Sequence, residues 1–156
     1  MMQYMTTIGW ILLMQIMGAI FGIITTGNID NGWYSTLHKS PFSPPNYIFG
    51  IVWPILYCCL GVVADILWKN RNNKSFCYSF YAFFIHLILN WLWTPFFFDL
   101  HWLLTSLISI FIMIALSIFI IYDMRYKNQK VSLFMLPYVS WLMFASYLNA
   151  FVWLYN

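Results

Sequence analysis

A polar and aromatic stripe runs through the apolar segment "HLILNWLWTPFFF", residues 86–98. His86, Asn90 and Trp93 recur at i, i+4 and i+7, with Phe97 one turn further on, so all four share one face of a helix. In an apolar setting the Asn90 amide needs a partner, and a hydrogen bond between helices is worth about 0.6 to 2 kcal/mol. Two interpretations stay open for Asn90: a bond that joins two helices, or a polar contact to a ligand.

His86 adds an imidazole to this face, which could ligate haem iron, form a hydrogen bond within a bundle or contact a ligand. The other two histidines do not face it at ligand spacing, because His38 lies in a long connection and His101 follows the segment at a short turn. Axial ligation of iron is therefore the least supported of the three roles.

Two further segments carry aromatic residues along one side. The stripes consist of Trp53, Tyr57, Gly61, Ala64 and Trp68 in one segment, and of Tyr138, Trp141, Ala145 and Asn149 in the other. Aromatic packing would explain any one stripe. Three stripes beside a proline-rich connection favour a concave aromatic cavity. Such a cavity suits a planar ligand, because offset stacking adds about 0.5 to 1.5 kcal/mol per aromatic pair.

The elements that must position these residues are membrane helices. Of 156 residues, 63% are hydrophobic and 7% are charged, whereas a soluble domain carries roughly 25% charge. A bilayer core needs about 20 apolar residues per helix. The sequence predicts an all-α, integral membrane bundle of five transmembrane helices in one domain, 1–156. The helices are expected near 4–25, 47–68, 75–98, 102–122 and 131–155, with a long capping loop at 26–46.

The basic residues are distributed unevenly between the connections. Six of the seven fall in two short loops, and Lys39 is alone on the other side; the six are Lys69, Arg71, Lys74, Arg125, Lys127 and Lys130. By the positive-inside rule, the amino terminus and these two loops face the side of insertion, and the carboxyl terminus faces away. The net charge of +3 is thereby explained by membrane topology, and no nucleic-acid partner is predicted.

Several classes of chemistry have no support in the sequence. Asp65 is the one acid expected inside a span, and a pair with Lys69 at i, i+4 accounts for it, so no buried charges remain for a proton relay. No Ser/His/Asp triad, metal cluster or phosphate loop is visible. We interpret Cys58, Cys59 and Cys77 as inert small apolar residues, and no cofactor or metal is predicted to be required.

A pair of glycines, Gly18 and Gly22 in "GAIFG", forms a GxxxG motif in the first span. The motif permits close helix approach, either within the bundle or between two copies of the chain. The sequence leaves both alternatives open, so a homodimer is a candidate assembly.

Three blocks of the sequence resemble the TspO/MBR family, which includes tryptophan-rich sensory proteins and the translocator protein, or peripheral benzodiazepine receptor. They are "WYSTLHKSPFSPPNYIFGIVWPILY" from Trp33, "HLILNWLWTPFFF" from His86 and "PYVSWLMFASYLNAFVWLYN" from Pro137. The resemblance implies a five-helix bundle, often a dimer, with a pocket near the long loop. Its ligands would be porphyrins such as protoporphyrin IX and haem, with isoquinoline or benzodiazepine drugs and sterols in some members.

The resemblance also implies which residues form the pocket. They are Trp33, Tyr34, Pro44, Pro45, Trp53, Tyr57, Asn90, Trp93, Tyr138, Trp141, Ala145 and Leu148, to which His86 is added from its stripe. Trp53 and Trp141 would be the tryptophans involved in the light-dependent porphyrin breakdown reported for the family, and they are the catalytic candidates.

The sequence departs from the family pattern at three places. Lys39 is followed by Ser40 and Pro41 where the family usually has Lys-Pro, and His86 stands where many members carry Gln. The basic residue that ends the animal members' sterol motif does not follow "LNAFVWLYN". Porphyrin is therefore the expected ligand, and sterol binding is not expected.

Three functional interpretations follow. The first is a membrane receptor or carrier that captures a porphyrin for transport, sensing or disposal. The second is an enzyme-like activity in which bound protoporphyrin is photo-oxidised. The third is purely structural and holds that the aromatic stripes only pack the bundle.

Overall fold

The structure, a computed structural model, describes residues 2–30 and 32–156, with side chains described for residues 5–23 and 32–156. Its helices are α1 (Met2–Asp30), α2 (Trp33–Thr36), α3 (Asn46–Lys69), α4 (Cys77–Phe98), α5 (Leu103–Met124) and α6 (Gln129–Tyr155). No strand occurs in the described part of the chain, and five of these helices are long and apolar enough to cross a membrane. The all-α membrane bundle expected from the sequence is thus confirmed.

The largest difference from the expected boundaries lies after the first span. Helix α1 continues to Asp30, five residues beyond the expected end at Thr25, and the short α2 occupies part of the connection that was expected to be a loop. Hydropathy set the expected end, but a helix that is already formed propagates through polar residues because each one adds a backbone hydrogen bond. The connection between α1 and α3 is correspondingly shorter than the predicted loop.

The five long helices form a closed ring in the order α1, α3, α6, α5 and α4, with α4 packed back against α1. Consecutive long helices run in opposite directions. The connections after α3, α4 and α5 are short, and the hydrogen bonds of Thr7 to Asp65 and of Gln15 to Pro54 show that α1 is antiparallel to α3. The six basic residues of the two short loops therefore gather at one end of the bundle, and the connection between α1 and α3 lies at the other. We call these the basic end and the loop end.

The half of the bundle toward the basic end is filled by side chains, and we call it the closed half. Leu60 and Leu67 of α3, Phe83 of α4, Met113 of α5 and Met135 of α6 are almost fully buried there. Long unbranched and branched aliphatic side chains can interdigitate without leaving space, which gives a membrane protein its packing energy.

Two ion pairs lie near the basic end. Asp65 accepts from Lys69 Nζ at 2.6 Å and from Thr7 Oγ1 of α1 at 2.7 Å. In the same arrangement on α5, Asp123 pairs with Lys127 and accepts from Ser79 Oγ of α4 at 2.7 Å. Each acid thus joins the lysine four residues later to a hydroxyl of a neighbouring helix, and the Asp65–Lys69 pair is the one that the spacing predicted.

Glycine sets the distance between α1 and α3. A Cβ at Gly61 would lie 2.7 Å from the Cα of Ile11, and a Cβ at Gly18 would overlap the ring of Tyr57. The first glycine of the GxxxG motif is therefore used inside the chain, where it accommodates a side chain of α3. A homodimer stays a prediction.

Candidate ligand cavity

The half of the bundle toward the loop end contains a cavity of about 480 Å³, within the range of small-molecule sites. Helices α1, α2, α3, α4 and α6 and the connection after α2 form its wall. The described lining residues are Gln15, Gly18, Ala19, Gly22, Ile23, Tyr34, Ser43, Asn46, Phe49, Gly50, Trp53, Pro54, Tyr57, Trp93, Thr94, Phe97, Phe98, Trp141, Ala145, Leu148, Asn149 and Val152.

Aromatic rings make up much of the wall. On α3, the rings of Trp53 and Tyr57 lie 5.4 Å apart, and on α4 those of Trp93 and Phe97 stack at 5.3 Å with planes 20° apart. Trp141 of α6 meets Phe49 edge to face at 5.8 Å. Rigid rings at helical spacing cannot fold back to fill the space between them, so the wall stays concave and presents flat apolar faces.

A layer of hydrogen bonds closes the cavity toward the closed half. Tyr57 Oη donates to Asn90 Oδ1 at 3.4 Å, and Asn90 Nδ2 donates to Tyr138 Oη at 2.7 Å. Asn90 and Tyr138 are 3% and 0% exposed, so the bonds lie in an apolar setting where polar groups require partners. We call Tyr57, Asn90 and Tyr138 the floor of the cavity.

His86 lies one helical turn below Asn90, under the floor. Its ring stacks on Phe83 and meets Tyr138 edge to face at 4.8 Å. The side chain is fully buried, and neither ring nitrogen has a hydrogen-bond partner among the described residues. The hydrogen bond considered for this residue is therefore not seen, and its imidazole does not line the cavity.

Helix α1 supplies the wall opposite α6 through small residues. Gly18 and Ala19 line the cavity, with Gly18 accommodating the ring of Tyr57, and a Cβ at Gly22 would meet no heavy atom within 4 Å. Gln15 is the polar member of this wall, and its Nε2 donates to the backbone oxygen of Pro54 at 2.8 Å. The space of the cavity thus arises where large residues on α3 and α6 face small ones on α1.

Asn149 holds one of the tryptophans in place. With its amide oriented to satisfy both ends, its oxygen accepts from Trp93 Nε1 at 3.2 Å and from Ser106 Oγ at 2.9 Å, and its nitrogen donates to the Leu103 oxygen at 3.1 Å. These bonds link α6 to α4 and α5. The Trp93 indole therefore has a fixed orientation in the wall.

The connection between α2 and α3, which we call the cover, lies over the loop end of the cavity and is attached at two places, to α6 and to Asn156 directly after it. Ser40 Oγ and Tyr147 Oη are 2.8 Å apart, and the Asn156 side chain exchanges two hydrogen bonds with the backbone of His38. A third attachment joins α2 to the turn after α4, where Trp33 stacks on His101 at 3.9 Å. His101 has a φ of 56°, a left-handed conformation that His adopts more readily than most residues.

Tyr34 and Lys39 lie together at the loop end of the cavity, beside the cover, and we call this part of the cavity its mouth. Tyr34 lines the cavity, and Lys39 Nζ lies 4.4 Å from the centre of its ring. Burial raises the pKa of the Tyr34 phenol above its ordinary value of about 10, so the phenol is neutral near pH 7. The contact is thus between a cation and a neutral ring, and the lysine charge is not cancelled.

Seven of the thirteen residues expected in the pocket line this cavity. They are Tyr34, Trp53, Tyr57, Trp93, Trp141, Ala145 and Leu148. Trp33 of α2 and the two cover residues Pro44 and Pro45 do not line the wall, whereas Asn90, Tyr138 and His86 lie at or below the floor. Asn90 does border a void of about 10 Å³ that adjoins the cavity beside Trp53, Trp93 and Ala145. A ligand role for each of these residues stays a prediction.

The α1 wall was missed from the sequence, as were Phe49 and Thr94, whereas Asn149 belongs to one of the three predicted stripes. Gln15 gave one usable signal, because a glutamine within an apolar span calls for a partner. Gly18, Ala19 and Gly22 gave another, although the GxxxG pattern pointed to helix contact and not to a cavity.

The wall restricts the chemistry that the cavity can do. Its described residues include no Asp, Glu, Lys or Arg, and no His or Cys that could ligate a metal. Its aromatic rings can stack on a planar molecule, and its polar side chains can form hydrogen bonds; these are Gln15, Tyr34, Ser43 and Thr94. A planar ligand would therefore be bound by stacking on its ring and by hydrogen bonds to polar groups at its edge.

The fold and the cavity define a class of protein: a multi-pass helical membrane protein with an aromatic small-molecule cavity at one end. The chain belongs to the TspO/MBR family, whose model matches residues 10–154. It is 36% identical to the tryptophan-rich protein TspO of Archaeoglobus fulgidus over 99% of each chain. It is 30% identical to the protein CrtK of Rhodobacter capsulatus over 89% of this chain and 83% of the relative, and 26% identical to the translocator protein of Bos taurus over 90% and 85%.

Proposed function

We propose that this protein is a membrane receptor or carrier that binds a porphyrin, protoporphyrin IX or haem, in the aromatic cavity. The observation that supports the proposal most directly is that Trp53, Trp93 and Trp141, on three different helices, line one cavity of about 480 Å³. A porphyrin offers a large flat face to such rings, and offset stacking favours that arrangement. Because no His or Cys is among the described lining residues, binding would depend on the ring and not on iron.

The test is a titration of the detergent-purified protein with protoporphyrin IX in the dark, followed by tryptophan quenching. Trp141→Phe should weaken binding about tenfold, since the phenyl ring offers a smaller face for stacking than the indole and fills less of the wall. Trp153→Phe is the matched control, because Trp153 lies on the same helix, is 42% exposed and does not line the cavity. Wild-type binding no tighter than to empty micelles would refute the proposal, and equal effects of the two variants would favour the purely structural interpretation.

A second candidate function is light- and oxygen-dependent breakdown of the bound porphyrin. The observation that favours it is that Trp53 and Trp141 line the same cavity and would both face its ligand. In this scheme molecular oxygen is the oxidant, and the indoles donate electrons to, or quench, the excited porphyrin. Illumination in air should then yield products that disappear when either tryptophan becomes phenylalanine, while dark binding is retained in part.

The family and the charge pattern support three accompanying proposals. The basic end faces the side of insertion. Isoquinoline or benzodiazepine compounds compete with porphyrin for the cavity. The functional unit is a homodimer.

A further inference from the structure

The cationic residues of this protein are divided unequally between the two ends of the bundle. Six lie at the basic end, and Lys39 is the one at the loop end. Among the described side chains, Lys69 pairs with Asp65 and Lys127 with Asp123, whereas Lys39 forms no ion pair. Asp99 lies at the same end but does not line the cavity. The charge of Lys39 is thus uncompensated by any described carboxylate at the mouth.

Lys39 is held beside the cavity by its neighbours. Its ammonium lies over the ring of Tyr34, a cavity-lining residue whose phenol is neutral, and Ser40, the next residue, is bonded to Tyr147 of α6. An ammonium held in this way keeps its capacity to donate hydrogen bonds to an anion. Lys39 therefore differs from a mobile surface lysine.

The cavity is polar near this lysine and apolar further in. Tyr34, Ser43 and Asn46 line it near the mouth, and Asn46 also begins α3, whose amino end carries the positive end of the helix dipole. The deeper wall consists of Trp53, Trp93 and Trp141 with aliphatic neighbours. A ligand that matches this gradient has an apolar planar body and anionic groups on one edge.

We propose that Lys39 is a specificity-determining residue that binds a carboxylate of the ligand, so that the cavity selects planar molecules with an anionic edge and orients that edge toward the mouth. This inference rests on the proposed porphyrin function and deepens it. Protoporphyrin IX fits the description, since it carries two propionates on one edge. A charge-assisted hydrogen bond between Lys39 and one propionate would add affinity without adding contact area.

The test compares protoporphyrin IX with its dimethyl ester, which keeps the ring and removes the charge. Both are titrated in the dark, in nonionic detergent, against the wild type, Lys39→Met and Lys39→Arg. Lys39→Met should weaken binding of the acid about three- to tenfold and leave the ester unchanged, while Lys39→Arg should retain the preference. Raising the ionic strength should reduce the preference of the wild type, because salt screens an exposed charge pair.

Lys130→Met is the matched control, since Lys130 is an exposed lysine at the basic end. It should change neither affinity. The inference is overturned if Lys39→Met leaves the affinity for the acid intact, or if it weakens acid and ester equally, which would indicate that Lys39 only supports the cover. If the wild type binds neither compound better than empty micelles do, the porphyrin function fails and this inference fails with it.

Discussion

In the closed half, α3 packs against α1 at Gly61, where a Cβ would lie 2.7 Å from the Cα of Ile11. In the other half, which contains the cavity and which we call the cavity half, a Cβ at Gly50 of the same helix would meet nothing within 4 Å. The two halves also differ in their large side chains. Aliphatic Leu60 and Leu67 fill the first, whereas Trp53 and Tyr57 surround an empty volume in the second. One pair of helices can therefore serve both as a packed support and as a cavity wall, depending on residue size along its length.

The largest effect is expected from Gly61→Ala, which should destabilise the protein by about 1 to 3 kcal/mol because the new methyl group would press against the backbone of Ile11. Gly50→Ala, on the same helix, should leave stability within about 1 kcal/mol, since its methyl group enters open space and alanine favours helix. Thermal unfolding in detergent, followed by circular dichroism, measures both. Equal melting temperatures for the two variants would contradict the contrast between the halves.

An intermediate effect is expected at the floor that separates the halves. Asn90→Leu should destabilise the protein by about 1 kcal/mol, because it removes the hydrogen bonds to Tyr57 and Tyr138. Tyr138→Phe should destabilise the protein by a similar amount, because the Asn90 amide would lose its hydrogen bond to the Tyr138 hydroxyl. In a double-mutant cycle the two losses should be less than additive. Strict additivity would show that the bond between Asn90 and Tyr138 does not contribute.

The smallest effect is expected at the cover. Ser40→Ala removes the bond to Tyr147 and one to the Phe42 amide, and should lower stability by less than about 1 kcal/mol. Its main consequence should be faster release of bound porphyrin, measured by stopped-flow fluorescence with an apoprotein acceptor. Ser146→Ala is a suitable control, because its hydroxyl bonds to a carbonyl of its own helix. A release rate equal to that of the wild type would show that the cover does not limit exit.

Much of the fold follows from composition and hydropathy, because lipid admits few backbone arrangements other than helices. Helical periodicity then identified the faces of α3, α4 and α6 that look inward, and Trp53, Trp93 and Trp141 line the cavity as expected. Helical periodicity identifies the side of the helix on which a residue lies, but it does not show whether the space facing that residue is filled or forms a cavity. His86 and Asn90 therefore belong to the right stripe, although they lie at or below the floor.

The α1 wall shows the other limit of sequence reasoning. A wall made of Gly18, Ala19 and Gly22 acts through the absence of side chains, and small residues carry no polar or aromatic pattern to detect. Whether such residues admit another helix or leave a cavity depends on the partner that faces them. Gly18 faces Tyr57, whereas Gly22 faces open space, although both belong to the same motif.

Pro54 lies within α3 and borders the cavity together with Gly50, one turn before it. Because proline has no N–H, the Gly50 carbonyl lacks its usual helical donor, and glycine offers no side chain to cover it. The wall therefore contains a hydrogen-bond acceptor that belongs to the main chain. Truncating any lining side chain to alanine would leave this acceptor in place, so alanine scanning would not detect a hydrogen bond that a ligand donated to it.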